Sequence, residues 1–118
     1  MSAVTTHVLD TARGIPAAGV LVRLERVPGS GAGQPGAGGE IGRARTDADG
    51  RAGDLGPAEL DAGTYRLVFD TGGYFAGQGD QAAFFPEVTV TFALADRARH
   101  YHVPLLLSPF AYSTYRGS

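Results

Sequence analysis

The 118-residue chain contains no cysteine and no lysine. Without cysteine there are no disulfides, no thiolate nucleophile and no cysteine-bound zinc. Without lysine there is no Schiff-base chemistry and no lysine general base, and all ten basic side chains are arginine. Long apolar runs are missing too: nothing approaches the roughly 20 residues that a membrane-crossing helix needs. Charge of either sign is modest. The net charge is −2 and the arginines are scattered, so no basic stripe points to nucleic acid or to an anionic membrane. Residues 1–9 carry neither a basic n-region nor an apolar h-region, and the cytoplasm is the expected compartment. Chemistry is left to His, Arg, Asp, Glu, Ser, Thr and Tyr.

What is present is a globular balance, with 43% hydrophobic and 19% charged residues, in a chain long enough to bury a core without staples. The 18 glycines are about twice the usual share, and the excess is local. Residues 28–42 read PGSGAGQPGAGGEIG, a stretch that cannot bury a face. It is expected to be a surface loop between two strands of a single domain spanning residues 1–118. Elsewhere, short β-branched or alternating segments recur at residues 4–9, 20–27, 43–46, 64–69, 88–94, 101–107 and 112–115. Only residues 73–81 lack that pattern, and they are the place for one short helix. The expected class is all-β, a sandwich of about eight strands.

Alternation sorts side chains onto faces. Tyr101, Val103, Leu105 and Leu107 share a uniformly apolar face that should line the core; His100, His102, Pro104 and Leu106 share the other. Val20, Val22, Leu24 and Arg26 likewise share one face. The pairs His7/Leu9, His102/Leu106 and Ser113/Tyr115 each mix apolar with polar groups on an outward face. Patches of that kind mark interfaces or binding surfaces. With almost no helix to cover such a patch, the expected cover is another copy of the chain.

His7, His100, His102 and Arg51 are the residues with chemical potential. His100-x-His102 has the spacing of two metal ligands, but no carboxylate is anchored beside it, so no metal is expected. Asp47-Ala48-Asp49-Gly50 is a strong turn signal that lacks the spaced Glu of a calcium loop. Arg51 after that turn either pairs with local acids or offers its fork to ligand carbonyls. The glycine-rich stretch has no lysine and no following helix, so it is not a phosphate loop. Tyr115-Arg116-Gly117-Ser118 reads as a frayed tail on composition alone. Residue chemistry by itself yields a β-domain with a candidate His/Arg site and no assigned reaction.

Two longer segments resemble the transthyretin-like family. His7-Val8-Leu9-Asp10 with Gly14, Pro16-Ala17, Val20 and Val22 is similar to its N-terminal signature. Tyr101-His102-Val103-Pro104, Leu107-Ser108-Pro109-Phe110 and Tyr112-Ser113-Thr114 are similar to its C-terminal one, with Ala111 where Gly or Ser is usual. Asp70-Thr71-Gly72, Tyr74-Phe75 and Phe84-Phe85-Pro86-Glu87 extend the likeness between them. The enzyme branch of that family, the 5-hydroxyisourate hydrolases, is marked by a His in the first strand, an Arg after a D-x-D-G turn, a His in Y-H-V-P and a terminal Y-R-G-S. His7, Arg51, His102 and Tyr115-Arg116-Gly117-Ser118 match all four marks.

The resemblance implies a transthyretin-like (prealbumin) β-sandwich and hydrolysis of 5-hydroxyisourate to 2-oxo-4-hydroxy-4-carboxy-5-ureidoimidazoline in urate breakdown. It further implies a homotetramer with sites at the dimer–dimer interface, and neither cofactor nor metal. Its implied catalytic residues are His7, Arg51, His102 and Ser118, with His7, Arg51 and Tyr115 binding substrate. Either His7 or His102 would serve as general base, and Ser118 would act through its hydroxyl or a terminal carboxylate. The other branch of the family carries small ligands. A carrier of an apolar molecule would leave His7, Arg51 and His102 desolvated and unpaired.

Overall fold

In the computed structural model, described for residues 2–29, 38–79 and 83–118, nine strands and one short helix follow one another along the chain. They are β1 (Val4–Asp10), β2 (Ile15–Pro16), β3 (Leu21–Arg26), β4 (Gly39–Arg45), β5 (Arg51–Ala52), β6 (Gly63–Phe69), α1 (Thr71–Gly77), β7 (Val88–Leu94), β8 (Tyr101–Leu107) and β9 (Tyr112–Thr114). They form two sheets. One runs β4-β3-β6-β7 and is antiparallel throughout. The other runs β2-β1-β8-β9, with β5 also paired to β1. Its centre is a parallel pair, β1 against β8, in unbroken register from Val4↔Tyr101 to Asp10↔Leu107.

Alternation explains which residues face inward. Val4, Val8, Tyr101, Leu105 and Leu107 meet Val22, Leu24, Tyr65, Leu67 and Phe69 in one core cluster that draws on both sheets. Each fully buried aliphatic or Phe side chain contributes roughly 1.5–3 kcal/mol through burial. The apolar face expected on β8 is therefore the core face. Arg26, on the face shared by Val22 and Leu24, is also buried; its Nη1 donates to Tyr65 Oη at 2.9 Å and its guanidinium stacks 5.3 Å from that ring's centre. Pairing with the hydroxyl and the ring face offsets the cost of burying the charge.

Asp10 ends β1 and is fully buried. Its carboxylate accepts from the N–H of Ala12 and Arg13, from Arg13 Nη1 at 3.0 Å and from Tyr74 Oη at 2.8 Å. Burial acts to raise its pKa, but the Tyr74 and Arg13 hydrogen bonds and the Arg13 charge outweigh it and hold the group below its ordinary 3.8. One acid thus ties the β1–β2 turn to α1.

Several boundaries differ from the sequence reading. Residues 39–42, read as part of the glycine-rich loop, form the first half of β4, because pairing with β3 uses backbone groups that glycine supplies as well as any residue. Residues 30–37 of that loop lie outside the described residues. The helix starts at Thr71 rather than 73, since the Asp70 carboxylate caps it by accepting from Gly73 N at 3.0 Å, and it ends at Gly77; residues 80–82, including Gln81 at the end of the expected span, are outside the description. β2 and β5 were not expected. Each is two residues long and exists through its register with β1.

Candidate functional site

The turn before Arg51 is fixed by its own side chains. Asp47 Oδ1 accepts from the N–H of Asp49 at 2.9 Å and of Arg51 at 3.0 Å, and Asp47 N donates to Arg51 O at 2.9 Å. Gly50 sits at φ +77°, with its Cα against the Val8 carbonyl where a Cβ would collide. The turn delivers Arg51 to β5, where it stands opposite His7 in the β1–β5 register. The Arg51 backbone belongs to the turn while its side chain is exposed.

β1 and β8 bring the rest together. Their parallel register sets Thr5 opposite His102. Thr5 Oγ1 lies 2.8 Å from His102 Nδ1 and 2.9 Å from His100 Nε2. The two imidazoles are near-parallel, with ring centres 6.4 Å apart. The C-terminal tail then turns back over this strand. Gly117 N donates to His102 O at 2.8 Å, which sets Ser118 beside the histidines. Tyr115-Arg116-Gly117-Ser118 is therefore pinned where composition suggested fraying, because a backbone bridge to β8 and the Arg116 guanidinium over the Tyr101 ring at 4.8 Å hold it.

The outcome is an open cleft of about 250 Å³ bordered by Thr5, Arg51, His100, His102 and Ser118. His7 does not line it. His7 Nε2 lies 2.8 Å from the carbonyl of Asp49, and since a carbonyl only accepts, Nε2 carries the proton. Tyr115 borders a neighbouring cleft of about 240 Å³ with Phe92, Tyr101 and Arg116, and His102 touches both spaces. Of the residues singled out in the sequence, Arg51, His100, His102 and Ser118 thus share one cleft, with His7 adjacent to Arg51 in register and Tyr115 apart.

His102 is half-buried, and its pKa is pushed below the ordinary 6.5 first by burial, then by the positive charge of Arg51 and by His100 and His7. At neutral pH it is a neutral imidazole, able to take a proton. Arg51 adds a permanent cation with a planar fork of donors. A base, a cation and open space for a planar polar ligand are what hydrolysis of a carbonyl compound needs. Among the described residues, no three of His, Asp or Glu are grouped as a metal would require. Thr5 was not among the candidate residues of the sequence, and His100 was a candidate to which the resemblance gave no role. The parity of His100 placed it near His102, whereas Thr5 is identified only by the β1–β8 register.

Residues 4–117 match the model of the HIUase/Transthyretin family. The chain is 50% identical to the 5-hydroxyisourate hydrolase of Mesorhizobium japonicum over 97% of its own length and 90% of the relative's. The structure of Klebsiella pneumoniae 5-hydroxyisourate hydrolase superposes with a TM-score of 0.79 at 36% identity, covering 98% of each chain. Transthyretin from Sparus aurata superposes with a TM-score of 0.83 at 31% identity, covering 99% of this chain and 97% of that one. The backbone is similar to both branches alike, so the choice between them falls to the side chains.

Proposed function

The chain belongs to the HIUase/Transthyretin family, and from that footing we propose that it hydrolyses 5-hydroxyisourate to 2-oxo-4-hydroxy-4-carboxy-5-ureidoimidazoline in urate degradation; relatives named 5-hydroxyisourate hydrolase, and one from Arabidopsis thaliana named for uric acid degradation, support the reaction and its setting. The observation that carries the reading is the cleft that joins a neutral His102 to the Arg51 cation and Ser118. His102 takes a proton from water, the hydroxide oxygen bonds to the ring carbonyl carbon, and the Arg51 fork stabilises the charge that develops on oxygen. The C–N bond of the cyclic amide then breaks. Its nitrogen leaves with the proton that His102 returns, so atoms and charge balance.

His7, opposite Arg51, is assigned to substrate binding and orientation, because its Nε2 proton is already engaged by Asp49 O. Ser118 adds its hydroxyl at the cleft. Tyr115, 58% exposed and outside the cleft of its own subunit, is assigned to substrate contact within the assembled protein.

The same proposal includes a homotetramer whose sites lie where dimers meet. Leu9 and Leu106, paired in register on the outer face of the β2-β1-β8-β9 sheet, support it, since nothing within the described chain covers that face with a helix. Residues 1–118 are read as one domain, supported by the shared core cluster. Cytoplasmic residence belongs to this reading as well; among the described residues no helix is long and apolar enough to cross a membrane.

The carrier reading draws on the likeness to transthyretin in backbone. It is the weaker of the two, since an apolar ligand in this cleft would desolvate Arg51 and His102 without pairing them. The deciding experiment follows the absorbance of freshly generated 5-hydroxyisourate with the protein, without it, and with His102→Ala. Accelerated decay that the variant loses supports the hydrolase. Decay at the spontaneous rate with folded protein overturns it. Sedimentation that finds only monomer at micromolar concentration would overturn the tetramer.

A further inference from the structure

A single hydroxyl proton connects two imidazoles beside the cleft. Thr5 Oγ1 lies within hydrogen-bond distance of both His102 Nδ1 and His100 Nε2, at 2.8 and 2.9 Å. A threonine hydroxyl has one proton to give and two lone pairs with which to accept. It can therefore donate to at most one of the two rings, and at least one ring must donate to it. The protonation of one histidine is thereby coupled to the tautomer of the other through an atom that neither proposed catalytic role uses.

Two directions place the hydroxyl proton between the rings; a third, in which both rings donate and the hydroxyl gives its proton elsewhere, likewise keeps the His102 proton on Nδ1. In the first, His102 Nδ1–H donates to Thr5, and Thr5 donates to His100 Nε2. In the second, both bonds are reversed and the His102 proton moves to Nε2. The surroundings favour the first. The Cδ2 edge of His102 faces Gly117 and Nδ1 faces Thr5, so Nε2 is the ring nitrogen left for the cleft, where Arg51 stands. A lone pair on Nε2 is attracted by the guanidinium, whereas an N–H there is repelled. His100 is exposed, so in this direction its own Nδ1–H is solvated without cost.

We propose that Thr5 and His100 are positioning residues that hold the proton of His102 on Nδ1 and so present Nε2 to the cleft as a proton acceptor. Neither residue touches substrate in this scheme; both act through His102. The consequence for turnover rests on the hydrolase reading, but the tautomer itself does not. Thr5 is almost fully buried, at 7% exposure, and valine has nearly its shape, so Thr5→Val removes the hydroxyl while keeping the side-chain volume.

The chain has three histidines, which makes imidazole nitrogen resonances in 15N-histidine-labelled protein directly assignable. Spectra of the whole protein are recorded at a pH where all three rings are neutral, alongside steady-state hydrolysis of 5-hydroxyisourate. The wild type is expected to show His102 protonated on Nδ1. Thr5→Val and, separately, His100→Ala are expected to move that proton toward Nε2. The same variants should lower kcat by roughly tenfold or more with KM little changed, because a site with its base in the wrong tautomer binds substrate but cannot take the proton of the attacking water. Thr5→Ser, which keeps the hydroxyl, is expected to restore both signals.

A wild-type His102 protonated on Nε2 overturns the proposal, as does a resonance that neither variant moves. A tautomer change with unaltered kcat overturns the positioning role. If the tautomer shifts as expected while even the wild type fails to hydrolyse the substrate, the coupling stands and the hydrolase reading falls. His100→Ala, at an exposed site, keeps the test open should Thr5→Val fold poorly.

Discussion

Gly117 lies against the edge of the His102 ring: its N–H donates to His102 O at 2.8 Å, and a Cβ added to it would come 2.6 Å from His102 Cδ2. The ring is pinned by Thr5 on its other side and cannot simply swing away. Gly117→Ala is therefore expected to displace the imidazole by several tenths of an ångström while leaving the core untouched. Turnover should fall on the order of 10²-fold, the scale on which misplaced catalytic groups lose rate. The denaturant midpoint should be nearly unchanged. Wild-type kcat in this variant would show that the ring is not held by the tail.

Arg51 separates two functions. Its backbone N–H and C=O complete the turn with Asp47, while its side chain is exposed at the cleft. Arg51→Lys keeps the turn and a positive charge but loses the planar fork. A loss in kcat/KM on the order of 10²- to 10³-fold is expected, with an unchanged circular dichroism spectrum. A near-normal rate would mean that charge alone suffices.

Acidification should act through His102. Its folded-state pKa lies below the ordinary 6.5, through burial first and the Arg51 charge second. The unfolded chain therefore binds this proton more readily than the folded one. The group's contribution to stability is complete above 6.5 and declines as pH falls from there through the folded-state value. The acid limb of kcat/KM against pH should likewise sit below 6.5. Arg51→Gln removes one cause and leaves burial, so the limb should move upward without passing 6.5. A limb that stays in place in this variant would disconnect the two groups.

Asp10 carries a second kind of acid-sensitive contact, a buried carboxylate. Asp10→Ala removes the shared acceptor of Ala12 N, Arg13 N, Arg13 Nη1 and Tyr74 Oη from a fully buried position. A loss of about 3 kcal/mol is expected in equilibrium unfolding. Since its folded-state pKa is lowered, the stability it adds is present above 3.8 and disappears as pH falls through the folded-state value. A loss under half of that would assign the anchoring of α1 to other contacts.

How much of this was legible in the residues differs from element to element. Strands β1, β3, β6, β7 and β8 announce themselves, because one of their faces is buried and alternation records it. The first residues of β4 carry no such record: Gly39 and Gly42 pair through backbone alone, and composition reads as loop. β2 and β5 are invisible for a related reason, since two residues cannot show a period. His7, Arg51, His102 and the tail were marked by motif. Thr5 was not, because its part in the site depends on which residue of β8 it faces, and a parallel register over so long a separation is written nowhere in the local sequence.

Thr5 and His102 are 97 positions apart. During synthesis the second leaves the ribosome 97 residues after the first. Until β8 emerges, β1 has its long edge unsatisfied and Val4 and Val8 lack their partners across the sheet. No partial product can hold the Thr5–His102 bond, and none carries Ser118 to the cleft. The site is thus withheld until β8 and the segment after it have emerged, and a chain interrupted before β8 yields an inert, adhesive fragment for the chaperones and proteases that clear such species.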